Sequence, residues 1–140
     1  MLDFPQTVVE RPLALDLYEE LVNLVQALDA ARVPYALAGG LALAVHGVAR
    51  ATTDIDLLVR PADAGRLSDV ARSLGYTFEA QPMHFADGME VRRLTRIEAG
   101  ESMTLDLWLV HPGIEDVWAS RGPVTGDFGP LWVVSRDGLI

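Results

Sequence analysis

The sequence predicts an α+β fold, because helical and strand patterns follow one another along a chain of 140 residues. Apolar residues recur at helical spacing between Leu13 and about Ala31, which is typical of an amphipathic helix. Short apolar strands follow, and turn signals such as Asp87-Gly88 separate them. Since 50% of the residues are hydrophobic, we expect residues 1–140 to form a single domain with its own core.

Composition excludes several kinds of chemistry. The formal net charge is -9, so a broad nucleic-acid-binding surface is not expected. All 11 basic residues are arginine, which excludes P-loop phosphate binding and Schiff-base chemistry by lysine. The absence of cysteine excludes disulfides and thiolate zinc sites. The chain shows neither a signal peptide nor an apolar run of the roughly 20 residues that a membrane span needs, so we expect a soluble, cytoplasmic protein without membrane contact.

The first predicted helix, from Leu13 to about Ala31, carries most of its charge on one side. Asp16, Glu19 and Glu20 fall largely away from its apolar residues, and we interpret them as a solvated face. A buried strand is predicted for Tyr35–Ala38, because the segment is short and apolar.

The remaining elements are predicted in the same way. A helix of about two turns follows Gly39-Gly40. A strand is expected over 52–59 and a second amphipathic helix over 61–73. Further strands are expected over 76–79, 83–86, 89–97 and 103–110, followed by a short helix over 114–119, a hairpin or cover strand within 121–134, and a turn at 127–129. Ser135 is typical of a helix N-cap, and a helix that begins there and stops at Ile140 indicates a truncated C-terminus.

Two acids interrupt the apolar strand over 52–59. Asp54 and Asp56 lie two positions apart, so their Cα atoms are about 7 Å apart on one face of the strand, while Ile55 and Leu57 lie on the other. Carboxylates this close repel each other unless a cation or an arginine compensates them. The pattern therefore indicates a divalent-cation site, and the alternative is a pair of solvated acids at an exposed strand end.

The glycine pair Gly39-Gly40 joins a predicted strand to a helix. Free backbone amides at the start of a helix can bind an anion such as phosphate. Glycine pairs also occur where backbones pack closely, and the glycines alone leave both interpretations open.

Two later strands add charged residues. Asp106 lies between Leu105 and Leu107, and a buried acid needs a charged or hydrogen-bonding partner. If its strand lies beside that of Asp54 and Asp56, three carboxylates converge. In the strand over 89–97, Arg92 and Arg96 are expected on one face and Arg93 on the other, either as phosphate contacts or as solubilising charges.

Together, Gly39-Gly40, Asp54-Ile55-Asp56 and Asp106 resemble the nucleotidyltransferase superfamily related to DNA polymerase beta. The fuller pattern from Gly39 to Asp56 is similar to the small bacterial branch that contains abortive-infection toxins and antibiotic nucleotidyltransferases. The resemblance covers residues 35–110. It implies the nucleotidyltransferase fold, a mixed central β-sheet with helices packed mainly on one face.

The resemblance also implies roles for individual residues. Asp54, Asp56 and Asp106 would be catalytic and would bind two Mg²⁺ ions, while Gly39 and Gly40 would hold the phosphates of a nucleoside triphosphate. Arg50 would either stabilise phosphate charge or neutralise the acidic pair. His46 is interpreted as a satisfied helical histidine.

Two functions follow as hypotheses. The first is magnesium-dependent transfer of a nucleoside monophosphate from a triphosphate to a hydroxyl of a protein, an RNA or a small molecule, in a toxin-antitoxin or resistance role. The second is a non-catalytic interaction module with the same fold, which acts as a regulatory partner of a small helical protein. The resemblance places further acceptor-binding helices after the core in relatives, and the chain ends at Ile140 without them.

Overall fold

The computed structural model describes residues 15–46, 54–126 and 129–135 of the chain. Arg50, residues 127–128 of the predicted turn, and residues 136–140, where a helix is predicted, lie outside these ranges. The helices are α1 (Leu17–Ala30), α2 (Gly39–Val45), α3 (Pro61–Ser73) and α4 (Glu115–Ala119), with a 3-10 turn at Pro112–Ile114. The strands are β1 (Ala36–Ala38), β2 (Asp54–Val59), β3 (Phe78–Glu79), β4 (Met83–His84), β5 (Glu90–Glu98), β6 (Glu101–Leu109), β7 (Gly122–Gly126) and β8 (Gly129–Val133).

The strands of the described ranges form a mixed sheet. Their order is β3-β5-β6-β2-β1-β8-β7, with β4 also paired to β5. β2 pairs with β6 in parallel, and β1 pairs with β8 in parallel, whereas the other pairs are antiparallel. β2 and β6 are thus central strands. Asp54 is the first residue of β2, and both Asp54 and Asp56 are half-buried.

The core lies between the sheet and the helices α1 and α3. These two helices contact each other and β2. Ile55 and Leu57 of β2 are fully buried on this side, as are Leu105 and Leu107 of β6, and each such side chain contributes about 1.5–3 kcal/mol. The helices supply Leu21, Leu24, Leu28, Leu67 and Ala71. The predicted fold class, α+β with a mixed sheet and helices mainly on one face, is confirmed.

Glu20 corrects the interpretation of α1. Its side chain is buried rather than solvated. Arg96 Nη1 donates to both carboxylate oxygens, at 3.0 and 2.9 Å, and the Tyr76 hydroxyl donates to Oε1 at 2.8 Å. Burial and the bond to Glu20 raise the pKa of Tyr76. The helical pattern could not show this cluster, because its partners come from β5 and from the segment that follows α3.

A tight hairpin joins β5 to β6. Glu98 pairs with Glu101, so Ala99 and Gly100 alone form the turn, with φ of 51° and 81°. Positive φ at both central residues is typical of the hairpin turn that matches strand twist. This turn sets the register that places Arg93 opposite Asp106. None of the helices in the described ranges is long and apolar enough to cross a membrane.

Candidate active site

The three predicted catalytic acids lie on one face of neighbouring strands. Asp54 and Asp56 alternate with buried Ile55 along β2. In the parallel pairing of β2 with β6, Asp106 is the direct partner of Asp56. Partners in a sheet point to the same side, so Asp54, Asp56 and Asp106 share the face opposite the helical core. The expected neighbouring of the two strands is confirmed. We call this side of the sheet the acidic face.

Asp56 is held by a tryptophan. Trp108 Nε1 donates to Asp56 Oδ1 at 3.0 Å. The pKa of Asp56 is raised, chiefly by burial, with further increases from the charges of Asp106 and Asp54, while the indole hydrogen bond lowers it. Sequence reasoning missed Trp108. Its position two residues after Asp106 on the same strand was the available signal, because alternate strand residues share a face.

Asp106 is held by an arginine. Arg93 Nε donates to Oδ1 at 2.8 Å and Arg93 Nη2 donates to Oδ2 at 3.0 Å, so both oxygens accept from one guanidinium. The Asp106 residue is only 4% exposed. Hydrogen bonding to Asp106 and its charge raise the pKa of Arg93, which therefore stays cationic. Arg93 is thus the charged partner that was expected for a buried Asp106.

The three arginines of β5 divide between two faces, as predicted. Arg92 pairs with Glu90, with Nε and Oε2 2.7 Å apart. Arg96 reaches Glu20 of α1 on the core side. Arg93 alone among these three contacts an acid of the acidic face.

Gly39 lies directly against Asp56. It connects β1 to α2 with φ of +65°, a conformation that side chains other than glycine's rarely adopt. A Cβ atom added at Gly39 would collide with Asp56 Oδ2. Close packing therefore accounts for this glycine whether or not a phosphate binds there. Gly40 lies in the first turn of α2, and Arg50 is outside the described residues.

His46, directly after α2, has a protein partner, as predicted. Its Nε2 donates to the Val134 carbonyl oxygen at 2.8 Å. This bond ties the end of α2 to the residue after β8.

The acids suit magnesium by their chemistry, since Mg²⁺ prefers carboxylate oxygens. In this structure, however, neighbouring side chains already bind some of these carboxylate oxygens. Within the described residues, no group of three or more histidine, aspartate or glutamate side chains is arranged to hold a metal ion. Arg93 occupies both oxygens of Asp106 and Trp108 occupies one of Asp56. The donor set thus has the chemistry of a divalent-cation site, but Asp56 and Asp106 would have to exchange partners before they could hold a cation together.

A mixed sheet with an acidic pair on one central strand and a third acid beside it defines a protein of the nucleotidyltransferase class. The chain matches the family described as "Uncharacterised nucleotidyltransferase" over residues 6–137, and it belongs to that family. The family membership supports a transferase enzyme. Comparison with curated proteins gave no match.

Solved structures share the fold at low identity. TM1012 of Thermotoga maritima, which is assigned as a nucleotidyltransferase, is 13% identical with a TM-score of 0.67, over 94% of this chain and 84% of its own. ANT(2")-Ia in complex with adenylyl-2"-tobramycin is 18% identical with a TM-score of 0.58, over 87% and 71%. JHP933 of Helicobacter pylori is 16% identical with a TM-score of 0.54, over 86% and 51%. At these identities the similarity shows the fold.

Proposed function

We propose that this chain is a magnesium-dependent nucleotidyltransferase, which moves a nucleoside monophosphate from a triphosphate to a hydroxyl acceptor. The observation that carries the proposal is the pairing of Asp56 with Asp106 on adjacent central strands, with Asp54 on the same face. The raised pKa of Asp56, due to burial and to the two neighbouring acids, also supports it. Such a cluster of carboxylates is costly without a cation, and perturbed acids mark functional sites.

In this proposal each predicted site residue has a role. Asp54, Asp56 and Asp106 hold magnesium, and Gly39 and Gly40 hold the phosphates of the nucleotide. Two bound magnesium ions would supply an activated acceptor oxygen and a stabilised pyrophosphate leaving group. Arg50, outside the described residues, is proposed to stabilise phosphate charge.

The proposed transfer needs only the triphosphate and the hydroxyl acceptor as reactants. The acceptor oxygen forms a bond to the α-phosphorus, and the bond from that phosphorus to the bridging oxygen of the β-phosphate breaks. Pyrophosphate leaves with the electron pair. In this proposal Asp106 accepts the hydroxyl proton, once Arg93 no longer occupies both of its oxygens.

The acceptor class is a further part of the proposal. ANT(2")-Ia, whose fold this chain shares, is known with adenylyl-2"-tobramycin. That likeness favours a hydroxylated small molecule and a resistance role. A protein or RNA hydroxyl in a toxin-antitoxin role, in the cytoplasm, remains the alternative for the same chemistry.

The test is nucleotide binding and transfer by the purified chain. Labelled nucleoside triphosphates with magnesium are expected to bind the wild type, and binding is expected to fall at least tenfold in Asp54→Ala/Asp56→Ala. Asp69→Asn is the matched control, because Asp69 is an exposed acid of α3 that pairs with Arg72. Equal binding by wild type and the double variant would overturn the proposal.

A non-catalytic interaction module is the second candidate. The observation that favours it is that Arg93 and Trp108 already satisfy Asp106 and one oxygen of Asp56. A module of this kind would bind a small helical protein and would not release pyrophosphate. Pyrophosphate release by the chain with any triphosphate and acceptor would reject this candidate.

A further inference from the structure

Arg93 makes a bidentate contact with the least exposed of the three acids. Its two donor nitrogens lie 2.8 and 3.0 Å from the two oxygens of Asp106. The guanidinium of an arginine matches a carboxylate in this fork geometry, which fixes both groups. Any cation that uses Asp106 must therefore share or displace Arg93.

The surroundings of the two side chains differ. The Asp106 side chain is 6% exposed, whereas that of Arg93 is 46% exposed. β5 is also farther from the centre of the sheet than β6. Arg93 can therefore turn into solvent by changing its side-chain rotamer, while Asp106 stays fixed in its strand. Among the described residues Arg93 forms its ion pair with Asp106, and the charges of Asp54 and Asp56 attract it from farther away.

The charges of the site favour a sequential filling. Among the described residues, the Arg93 guanidinium forms its ion pair with Asp106 and not with Asp54 or Asp56, whose charges act on it from farther away. A first divalent cation can bind to Asp54 and Asp56 and leave the Arg93 contact with Asp106 intact. A second cation at Asp56 and Asp106 would lie beside the positively charged guanidinium of Arg93. Two adjacent positive charges repel each other strongly in a partly buried site.

We propose that Arg93 is a positioning residue that occupies Asp106 in place of the second divalent cation and so makes filling of the two cation positions sequential. When Arg93 leaves Asp106, its free guanidinium lies on the acidic face, where a phosphate oxygen is the natural new partner. This inference rests on the proposed function, because it concerns how that same site acquires its cations. It adds a residue and an order of binding that the three acids alone do not contain.

The experiment counts Mn²⁺ sites on the full chain by electron paramagnetic resonance of the free ion, without nucleotide. The wild type is expected to show one tighter and one weaker site. Arg93→Gln is expected to tighten the weaker site at least tenfold, because the competing cation is gone. Arg92→Gln is the matched control: it removes the same charge from the adjacent position, where the arginine pairs with Glu90. It is expected to leave both affinities within twofold of wild type.

Two further variants separate competition from structural support. Arg93→Lys keeps the charge but loses the fork, so the weaker site is expected to tighten less than in Arg93→Gln. If Arg93→Gln does not fold, failure of the lysine variant to tighten this site overturns the inference. In Arg93→Gln/Asp106→Asn, the increase in Mn²⁺ affinity at the weaker site is expected to disappear, because loss of Arg93 can raise this affinity only by freeing Asp106.

The outcomes distinguish the two proposals. If wild type binds two Mn²⁺ ions and Arg93→Gln binds the second one equally or more weakly, Arg93 only supports Asp106, and the inference is wrong while the proposed function stands. If neither wild type nor Arg93→Gln binds Mn²⁺, the proposed metal site itself fails, and the inference fails with it.

Discussion

Trp108 Nε1 donates a 3.0 Å hydrogen bond to Asp56 Oδ1, although the two residues are 52 positions apart in the sequence. The parallel pairing of β2 with β6 brings them together on the acidic face. Because the indole holds Oδ1, the second oxygen of Asp56 faces Gly39. One tryptophan and one glycine thus set the orientation of the central acid of the site.

Loss of the indole donor is expected to weaken metal binding. In Trp108→Phe the ring remains, but the hydrogen bond that lowers the pKa of Asp56 is lost, so this pKa rises further. We expect Mn²⁺ affinity to fall about tenfold, as for other residues that orient a metal ligand. The acid limb of the binding profile is expected to move to higher pH.

Mn²⁺ titrations across pH measure both effects. Trp132→Phe is the control, because Trp132 is 40% exposed and its ring lies over Arg121. An unchanged pH profile in Trp108→Phe would show that the indole does not tune Asp56.

Neutralising Asp56 is expected to stabilise the protein at neutral pH while removing a ligand of the proposed metal site. Burial raises the pKa of Asp56 above 3.8, so ionisation is less favourable in the folded than in the unfolded chain. The favourable contribution of this group is therefore complete below pH 3.8 and is lost as the pH rises through the folded pKa. In Asp56→Asn, an amide oxygen can still accept from Trp108, and the free energy of unfolding at pH 7 is expected to rise by about 0.5–2 kcal/mol.

Urea unfolding at pH 7 and at pH 3 provides the measurement. The increase in the free energy of unfolding of Asp56→Asn is expected at pH 7 and not at pH 3, where Asp56 of the wild type is protonated in both the folded and the unfolded chain. Asp69→Asn, whose side chain is 76% exposed, is expected to stay within about 0.5 kcal/mol of wild type. A loss of stability for Asp56→Asn at pH 7 would contradict the sign of the argument.

A methyl group at Gly39 is expected to disturb both stability and the site. The φ of +65° costs an alanine about 1–2 kcal/mol, and its Cβ would displace Asp56 Oδ2. We expect Gly39→Ala to be destabilised by at least about 1 kcal/mol and to bind Mn²⁺ more weakly.

Gly65→Ala is the matched control for this substitution. Gly65 lies inside α3, and an added Cβ meets no atom within 4 Å. Alanine is the better helix former, so this variant is expected to be more stable by about 0.5–1 kcal/mol. Thermal unfolding and Mn²⁺ binding of the two variants should diverge; similar behaviour would remove the special role of Gly39.

Removal of the charge at Glu20 is expected to be among the costly changes in the core. Glu20→Gln leaves Arg96 without its main carboxylate partner, in a side chain that is 25% exposed. We expect a loss of about 2–3 kcal/mol, somewhat below the cost of breaking a fully buried pair. Glu19→Gln, on the exposed side of the same turn, is expected to cost less than about 1 kcal/mol.

Urea unfolding of the two variants at pH 7 measures this difference. In Glu20→Leu/Arg96→Met both charges are absent, and part of the lost stability is expected to return. Equal losses in Glu20→Gln and Glu19→Gln would mean that the buried cluster contributes nothing specific.

Much of the fold followed from local patterns. The helix predicted over 61–73 is α3 with the same bounds, since proline at its start and Gly75 after its end mark both termini. The strand with the acidic pair and the hairpin at Asp87-Gly88 also lie where alternation and turn residues placed them. The parallel position of β8 beside β1 was not predictable, because it depends on a pairing between distant segments.

The sequence by itself determined which residues are the candidate cation ligands. Aspartates at alternate positions of an apolar strand must share a face, and that spacing pointed to a cation site before any contact was known. The tertiary structure alone decided which partners these acids have. Arg93 rather than Arg92 or Arg96 reaches Asp106, and Trp108 reaches Asp56, because strand pairing and the register set by a two-residue turn bring them to one face. Side-chain charge is local information, whereas the partner of each charge depends on how distant strands align.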